Sequence, residues 1–92
     1  MPASIFSRVI VAKYERAKRS LCAAWRLGTT AWLREHAVGR LMAIEIADVN
    51  LCAVWQRAEV SACTESEFDA ALESWRAACA AAIDEFQMSE AR

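Results

Sequence analysis

The sequence predicts an all-α domain in which three long helices pack as an antiparallel bundle. Of its 92 residues 20 are alanine, a strong helix former, whereas only two are glycine and one is proline. The proline stands at position 2, so almost nothing interrupts the chain after its start. Apolar residues recur at steps of three and four, the spacing of a helix face. A chain of this length forms a single domain, residues 1–92.

The first helix is expected from about Ser4 to Leu27. Gly28 follows it at the position where a helix C-terminal cap is common. One apolar stripe runs along this segment: Phe6, Ile10, Tyr14, Ala17, Leu21 and Ala24. Thr29 and Thr30 are then suitable N-caps for the helix that follows.

The middle segment, from Thr30 to Cys63, has a helical pattern throughout. One stripe comprises Ala37, Leu41, Ile44, Asp48, Leu51, Trp55, Ala58 and Ala62, and a neighbouring stripe comprises Val38, Met42, Val49 and Cys52. Two adjacent apolar stripes are typical of a helix that touches more than one neighbour, and they predict a homodimer. Gly39 either breaks the segment, leaving a short extra helix around residues 30–38, or lies inside one long helix at a cost of ~1 kcal/mol. We favour the break.

The last helix has the clearest start, because Thr64 and Glu67 form a capping-box pattern. Its apolar stripe comprises Phe68, Leu72, Trp75, Cys79, Ala82 and Phe86.

Charge is divided between the two halves of the chain. Residues 1–40 carry eight Lys or Arg and two acidic residues, a net charge of +6, whereas residues 41–92 carry a net charge of −7. A basic first helix beside an acidic last helix explains this division. The alternative is that Arg8, Arg19 and Arg26, which share the outer face of the first helix, contact nucleic acid. We disfavour that alternative because a dedicated nucleic-acid-binding domain is usually basic, and this chain has a pI near 5.8.

No catalytic or metal-binding pattern is visible in the sequence. His36 is the only histidine, and Cys22, Cys52, Cys63 and Cys79 lack the short spacing of zinc ligands. The cysteines occupy positions of small hydrophobic residues, which free cysteine resembles. We therefore expect no metal, no cofactor and no enzyme, with a metal or redox protein as the third hypothesis.

Three further residues invite specific interpretations. Asp48 interrupts an apolar stripe, which predicts an ion pair with an arginine of the first helix that fixes the helix register. Trp25 and Trp32 flank the predicted turn, where they either close the end of the bundle or anchor an interface.

These observations favour a small non-enzymatic interaction protein: an adaptor, a secretion-type chaperone or an inhibitor that occupies a partner protein's surface. Trp25, Trp32, Met42 and Val49 are its candidate interface residues. No segment has the length and apolarity of a membrane span, and the sequence predicts neither a membrane partner nor a signal peptide. We expect a cytoplasmic homo-oligomer.

Overall fold

The computed structural model describes residues 2–60 and 62–91, including the side chains from residue 8 onward. The chain forms four helices: α1 (Pro2–Ala24), α2 (Thr29–His36), α3 (Val38–Glu59) and α4 (Glu65–Glu90). No strand occurs within the described residues, which confirms the predicted all-α class. The side chain of Phe6, assigned above to the first apolar stripe, lies outside the described residues. Over the described part of the chain, no helix combines the length and apolarity needed to cross a membrane.

The direction of α3 relative to α4 follows from the ion pairs between them. Arg57, near the end of α3, lies 3.5 Å from Glu67 at the start of α4. Arg40, near the start of α3, lies 3.1 Å from Glu85 near the end of α4. The two helices are therefore antiparallel.

The ion pairs of α1 place it alongside α4 in the same direction. The Lys13 amine reaches Asp69 at 2.9 Å, near the start of α4, and Arg26, just after α1, reaches Glu90 at 3.6 Å. The three long helices thus lie side by side in an elongated body of 53 × 21 × 17 Å, a packing compatible with a bundle. The contacts join the basic first half of the chain to acidic α4, as the charge division predicts.

The connection between α1 and α2 differs from the prediction. α1 ends at Ala24 rather than near Leu27, and Gly28 serves the following turn. The Thr29 backbone N–H donates to the Arg26 carbonyl oxygen at 3.1 Å, which closes a four-residue turn. Gly28, the third residue of this turn, has φ 91°, a left-handed conformation that glycine adopts without strain. Gly28 is also the N-cap residue of α2, and no side chain caps that helix.

A short helix does precede the break in the middle segment, but the break lies at Ala37 rather than at Gly39. Ala37 has φ −150° and ψ 54°, and it serves as the C-cap of α2 and the N-cap of α3. Its backbone N–H donates to the Leu33 carbonyl oxygen, and its own carbonyl oxygen accepts from the Arg40 N–H. Gly39 lies in the first turn of α3, where the helix accommodates it.

α4 begins as predicted. The Glu67 backbone N–H donates to Thr64 Oγ1 at 3.1 Å, and the Thr64 backbone N–H donates to the Glu67 carboxylate at 3.2 Å. Every residue of the predicted α4 stripe is buried except Trp75, which is half-buried. The main core cluster comprises Ile10, Ala17, Leu51, Val54, Ala58, Phe68, Ala71 and Leu72.

Candidate interaction surface

The outward face of α3 carries a row of exposed and mostly apolar side chains, which we call the α3 stripe. It runs the length of the helix and includes the small residue Ala53 and the neutral polar residue Gln56, both exposed. Its large members and their exposed fractions are Val38 (55%), Met42 (56%), Ile46 (69%), Val49 (65%) and Val60 (74%). A contiguous apolar surface of this kind is a mark of an interaction site, whereas single exposed apolar residues are ordinary.

The opposite face of α3 explains why the stripe stays outside. Leu51, Val54 and Ala58 are buried against α1 and α4, where Val54 and Leu51 meet the core around Phe68. α3 therefore has apolar residues on two faces, and its neighbours within the chain cover only one of them. The remaining face has no cover among the described residues.

The α3 stripe carries no charged residue of its own. Its seven positions are hydrophobic or neutral, and charge first appears on its two edges. On one edge Glu45 is exposed; on the other Arg57 is engaged by Glu67 of α4. A surface without charge at its centre can be desolvated without leaving a buried ion unpaired.

Two of the four candidate interface residues, Met42 and Val49, lie together on the stripe. Ile46 and Val60 belong to the same surface and were not among the predicted interface residues. The signal for Ile46 was present in the sequence, since it stands four residues after Met42 on the same helix face.

The other two candidates lie elsewhere, around α2. Trp25 is half-buried, and its indole Nε1 donates to Thr30 Oγ1 at 3.1 Å. Trp32 is half-buried against Phe86, with ring centroids 5.8 Å apart, and its other side stacks on His36 at 5.0 Å. The tryptophans thus close the α2 end of the molecule and are separate from the α3 stripe.

The predicted basic stripe of the first helix is only partly formed, because α1 ends at Ala24 and Arg26 lies beyond it. Arg8 and Arg19 are exposed, as predicted for an outer face. Arg26 is paired with Glu90, and Lys13 donates to both Glu65 and Asp69. Those two carboxylates raise the pKa of the Lys13 amine, through hydrogen bonds first and charge second.

Asp48 does not occupy the position that the sequence suggested. It is exposed, and no ion pair found among the described residues includes it. The predicted register contact with an arginine of α1 is therefore replaced by the pairs of Lys13 and Arg26 with α4. Asp48 instead lies on the wall of an open groove of about 310 Å³ between α1 and α3, which Tyr14 and Trp55 also line.

The four thiols are all free, and they differ in exposure. Cys22 and Cys52 are exposed, and Cys63 is half-buried. Cys79 is buried and belongs to the apolar stripe of α4. Burial raises the pKa of the Cys79 thiol from 9.0 to about 11, with the negative charge of Asp48 as the next cause. A thiol with so high a pKa is a poor nucleophile at neutral pH, because the thiolate is the reactive form.

The part of the chain that the structure describes contains no group of three or more His, Cys, Asp or Glu side chains placed to hold a metal ion. Comparisons of the chain with protein-family models, with curated proteins and with solved structures find no match.

Proposed function

We propose that this chain is a small non-enzymatic interaction protein that binds a partner protein through the α3 stripe. The observation that carries the proposal is the row of five large apolar side chains, each more than half exposed, along one face of a single helix. In such a role the protein acts as an adaptor, a secretion-type chaperone or an inhibitor, in the cytoplasm, by occupying a surface of its partner.

The physical chemistry of the stripe supports binding to protein rather than to a polyanion. Full burial of one Val, Ile or Met side chain contributes about 1.5–3 kcal/mol. Burying the exposed parts of five such side chains therefore contributes on the order of 5–10 kcal/mol. A partner with an apolar groove or helix face gains a similar amount from its own side, which offsets the cost of association, about 4–15 kcal/mol.

The nucleic-acid alternative has less support from the arrangement of charge. Lys13, Arg26 and Arg40 belong to the basic half of the chain, and each holds a carboxylate of α4. Phosphate binding through these side chains would compete with contacts inside the protein. The large side chains of the α3 stripe, in contrast, are each more than half exposed.

A photo-crosslinking amino acid at position 46, introduced in the cells that produce the protein, tests the proposal. The matched control carries the same amino acid in place of Glu73, an exposed residue of α4. We expect covalent adducts of discrete higher mass at position 46 and none, or far fewer, at position 73. Equal adduct yields at the two positions would show that α3 has no preferred partner, and the proposal would then be wrong.

A further inference from the structure

The α3 stripe is symmetric about its own midpoint. Its positions are 38, 42, 46, 49, 53, 56 and 60, and Val49 stands at the centre. Positions 38 and 60 are equally distant from Val49 along the chain, and so are positions 42 and 56. Positions 46 and 53 differ in their distance from Val49 by one residue. At 100° per residue, all seven positions fall within a sector of about 80°. The stripe is therefore straight, and it spans α3 from its first residue, Val38, to its C-cap, Val60.

This symmetry makes the stripe complementary to an antiparallel copy of itself. When two α3 helices lie antiparallel with Val49 opposite Val49, Val38 meets Val60 and Met42 meets Gln56 of the second copy. Ile46, the largest exposed member at the centre, then meets the small residue Ala53. Large side chains opposite small ones give the interdigitation that helix packing requires. A parallel pair would instead place Ile46 on Ile46, Ala53 on Ala53 and Gln56 on Gln56.

The charge distribution favours α3 over α1 and α4 as the helix that a second copy would contact. In an isologous interface a charged residue close to the two-fold axis meets its own copy, which carries the same sign. α1 presents exposed arginines and α4 exposed carboxylates, so pairing either helix with itself brings like charges together. The α3 stripe is free of charge along its whole length and avoids this repulsion.

The area of the stripe is close to what a dimer needs. At about 30 Å² of apolar surface per exposed side-chain carbon, the ten large side chains of two copies present roughly 700 Å². Ala53, Gln56 and the edge residues add to this. The total then approaches the roughly 1,000 Å² above which specific interfaces are found. A dimer through the stripe would also explain why α3 has apolar residues on two faces. One face is covered within the chain, and the other would be covered by the second copy.

We propose that two copies of this chain pair antiparallel through their α3 stripes, with Val49 of each copy at the two-fold axis. The inference rests on the proposed function, because it names the partner that the stripe takes. The light-scattering mass should be twice the chain mass of 10.2 kDa at high micromolar concentration. Ile46→Glu should reduce that mass to the monomer value while helix content stays unchanged.

Disulfide trapping tests the register directly. The background protein carries Cys22→Ser and Cys52→Ala, which remove the two exposed thiols, and it should give no covalent dimer under mild oxidation. Val49→Cys in this background should give a disulfide-linked dimer in high yield, because the two residues 49 face each other. Ser74→Cys, at an exposed position of α4, is the matched control and should give little.

The orientation of the helices is tested with positions 42 and 56. In the antiparallel pair the two residues 42 lie 14 positions apart along the helix axis, about 21 Å at the usual rise, whereas a disulfide needs Cα atoms within about 7 Å. Met42→Cys alone should therefore give no covalent dimer. A mixture of Met42→Cys and Gln56→Cys proteins should give the mixed dimer.

Each contrary outcome overturns a stated part of the proposal. A wild-type monomer with no Val49→Cys crosslink means that no second copy sits on the stripe. In that case adducts of position 46 with a different protein would still support the proposed function. A dimer mass that persists in Ile46→Glu places the interface elsewhere, and a covalent dimer from Met42→Cys alone shows a parallel pair.

Discussion

The two faces of α3 have similar composition but opposite surroundings. The inward face places Leu51, Val54 and Ala58 in the core beside Phe68. The outward face presents Val38, Met42, Ile46 and Val49 with more than half of each residue exposed. Hydrophobicity alone therefore does not decide which face of this helix is buried. The positions of α1 and α4 decide it, and the uncovered face becomes the surface on which a partner gains most.

The largest expected effect separates the two faces by stability. Leu51→Ala removes buried atoms and leaves a cavity, so it should lower the free energy of unfolding by about 2–5 kcal/mol. Ile46→Ala changes an exposed position and should alter the stability of dilute protein by no more than about 0.5 kcal/mol. Urea denaturation followed by circular dichroism at low protein concentration measures both.

Protein concentration adds a second readout to this pair of variants. A dimer stabilises the folded state by mass action, so the wild type should become more stable as concentration rises. Ile46→Ala should lose most of that concentration dependence, whereas Leu51→Ala should keep it wherever it folds. Equal losses of stability from the two variants in dilute protein would mean that Ile46 is buried within the monomer.

The thiols allow exposed and buried positions to be compared by their chemical reactivity. Cys52 is exposed on the wall of the groove between α1 and α3. It should react quickly with a thiol reagent at pH 8, and Cys52→Ala should remove a fast-reacting group. Cys79 is buried, and with a pKa near 11 only about one molecule in a thousand carries its thiolate at pH 8. Its modification should therefore wait for unfolding, and mass spectrometry of the labelled protein identifies which thiol has reacted.

The raised pKa of Cys79 also fixes a pH dependence of stability. The folded pKa lies above the unfolded value of 9.0, so the folded state holds the proton more tightly. The contribution of this proton to the free energy of unfolding is therefore fully present below pH 9, and it is lost as the pH rises toward 11. Between pH 8 and pH 10.5 the wild type should lose more stability than Cys79→Ala does. Equal losses of stability in the two proteins would mean that the Cys79 thiol is in contact with water in the folded state.

The sequence was sufficient to predict the helices whose ends are set by local chemistry. The capping box at Thr64 is a contact between neighbouring residues, and the α4 stripe faces a core on one side only. The sequence predicts the break at Gly39, two residues after its actual position at Ala37, because glycine has a low helix propensity. The actual break depends on where α2 packs, with Leu33 buried and Trp32 against Phe86.

The α3 stripe was predictable only in part for a related reason. Helical periodicity identified two adjacent apolar stripes on the middle helix, and Met42 and Val49 were assigned to the same one. Periodicity carries no information about which face the rest of the chain covers. Asp48 illustrates the same limit, since its place in an apolar row suggested burial, whereas the open groove beside α1 leaves it exposed.

The smallest expected effect concerns Asp48. An acidic side chain paired inside the core would cost about 3–5 kcal/mol to remove, whereas an exposed carboxylate is worth about 0–1 kcal/mol. Because Asp48 is exposed, Asp48→Asn should change the free energy of unfolding by no more than about 1 kcal/mol. Glu73→Gln is the matched control, since Glu73 is exposed and makes only a surface pair with Arg76, at 3.0 Å. The two variants should have similar free energies of unfolding in urea at pH 7.

The two variants should differ, however, in the pKa of the Cys79 thiol. Asp48 raises the pKa of that thiol through its charge, so Asp48→Asn should lower the pKa while Glu73→Gln leaves it in place. A loss of several kcal/mol in Asp48→Asn alone would restore the buried register pair that the sequence first suggested.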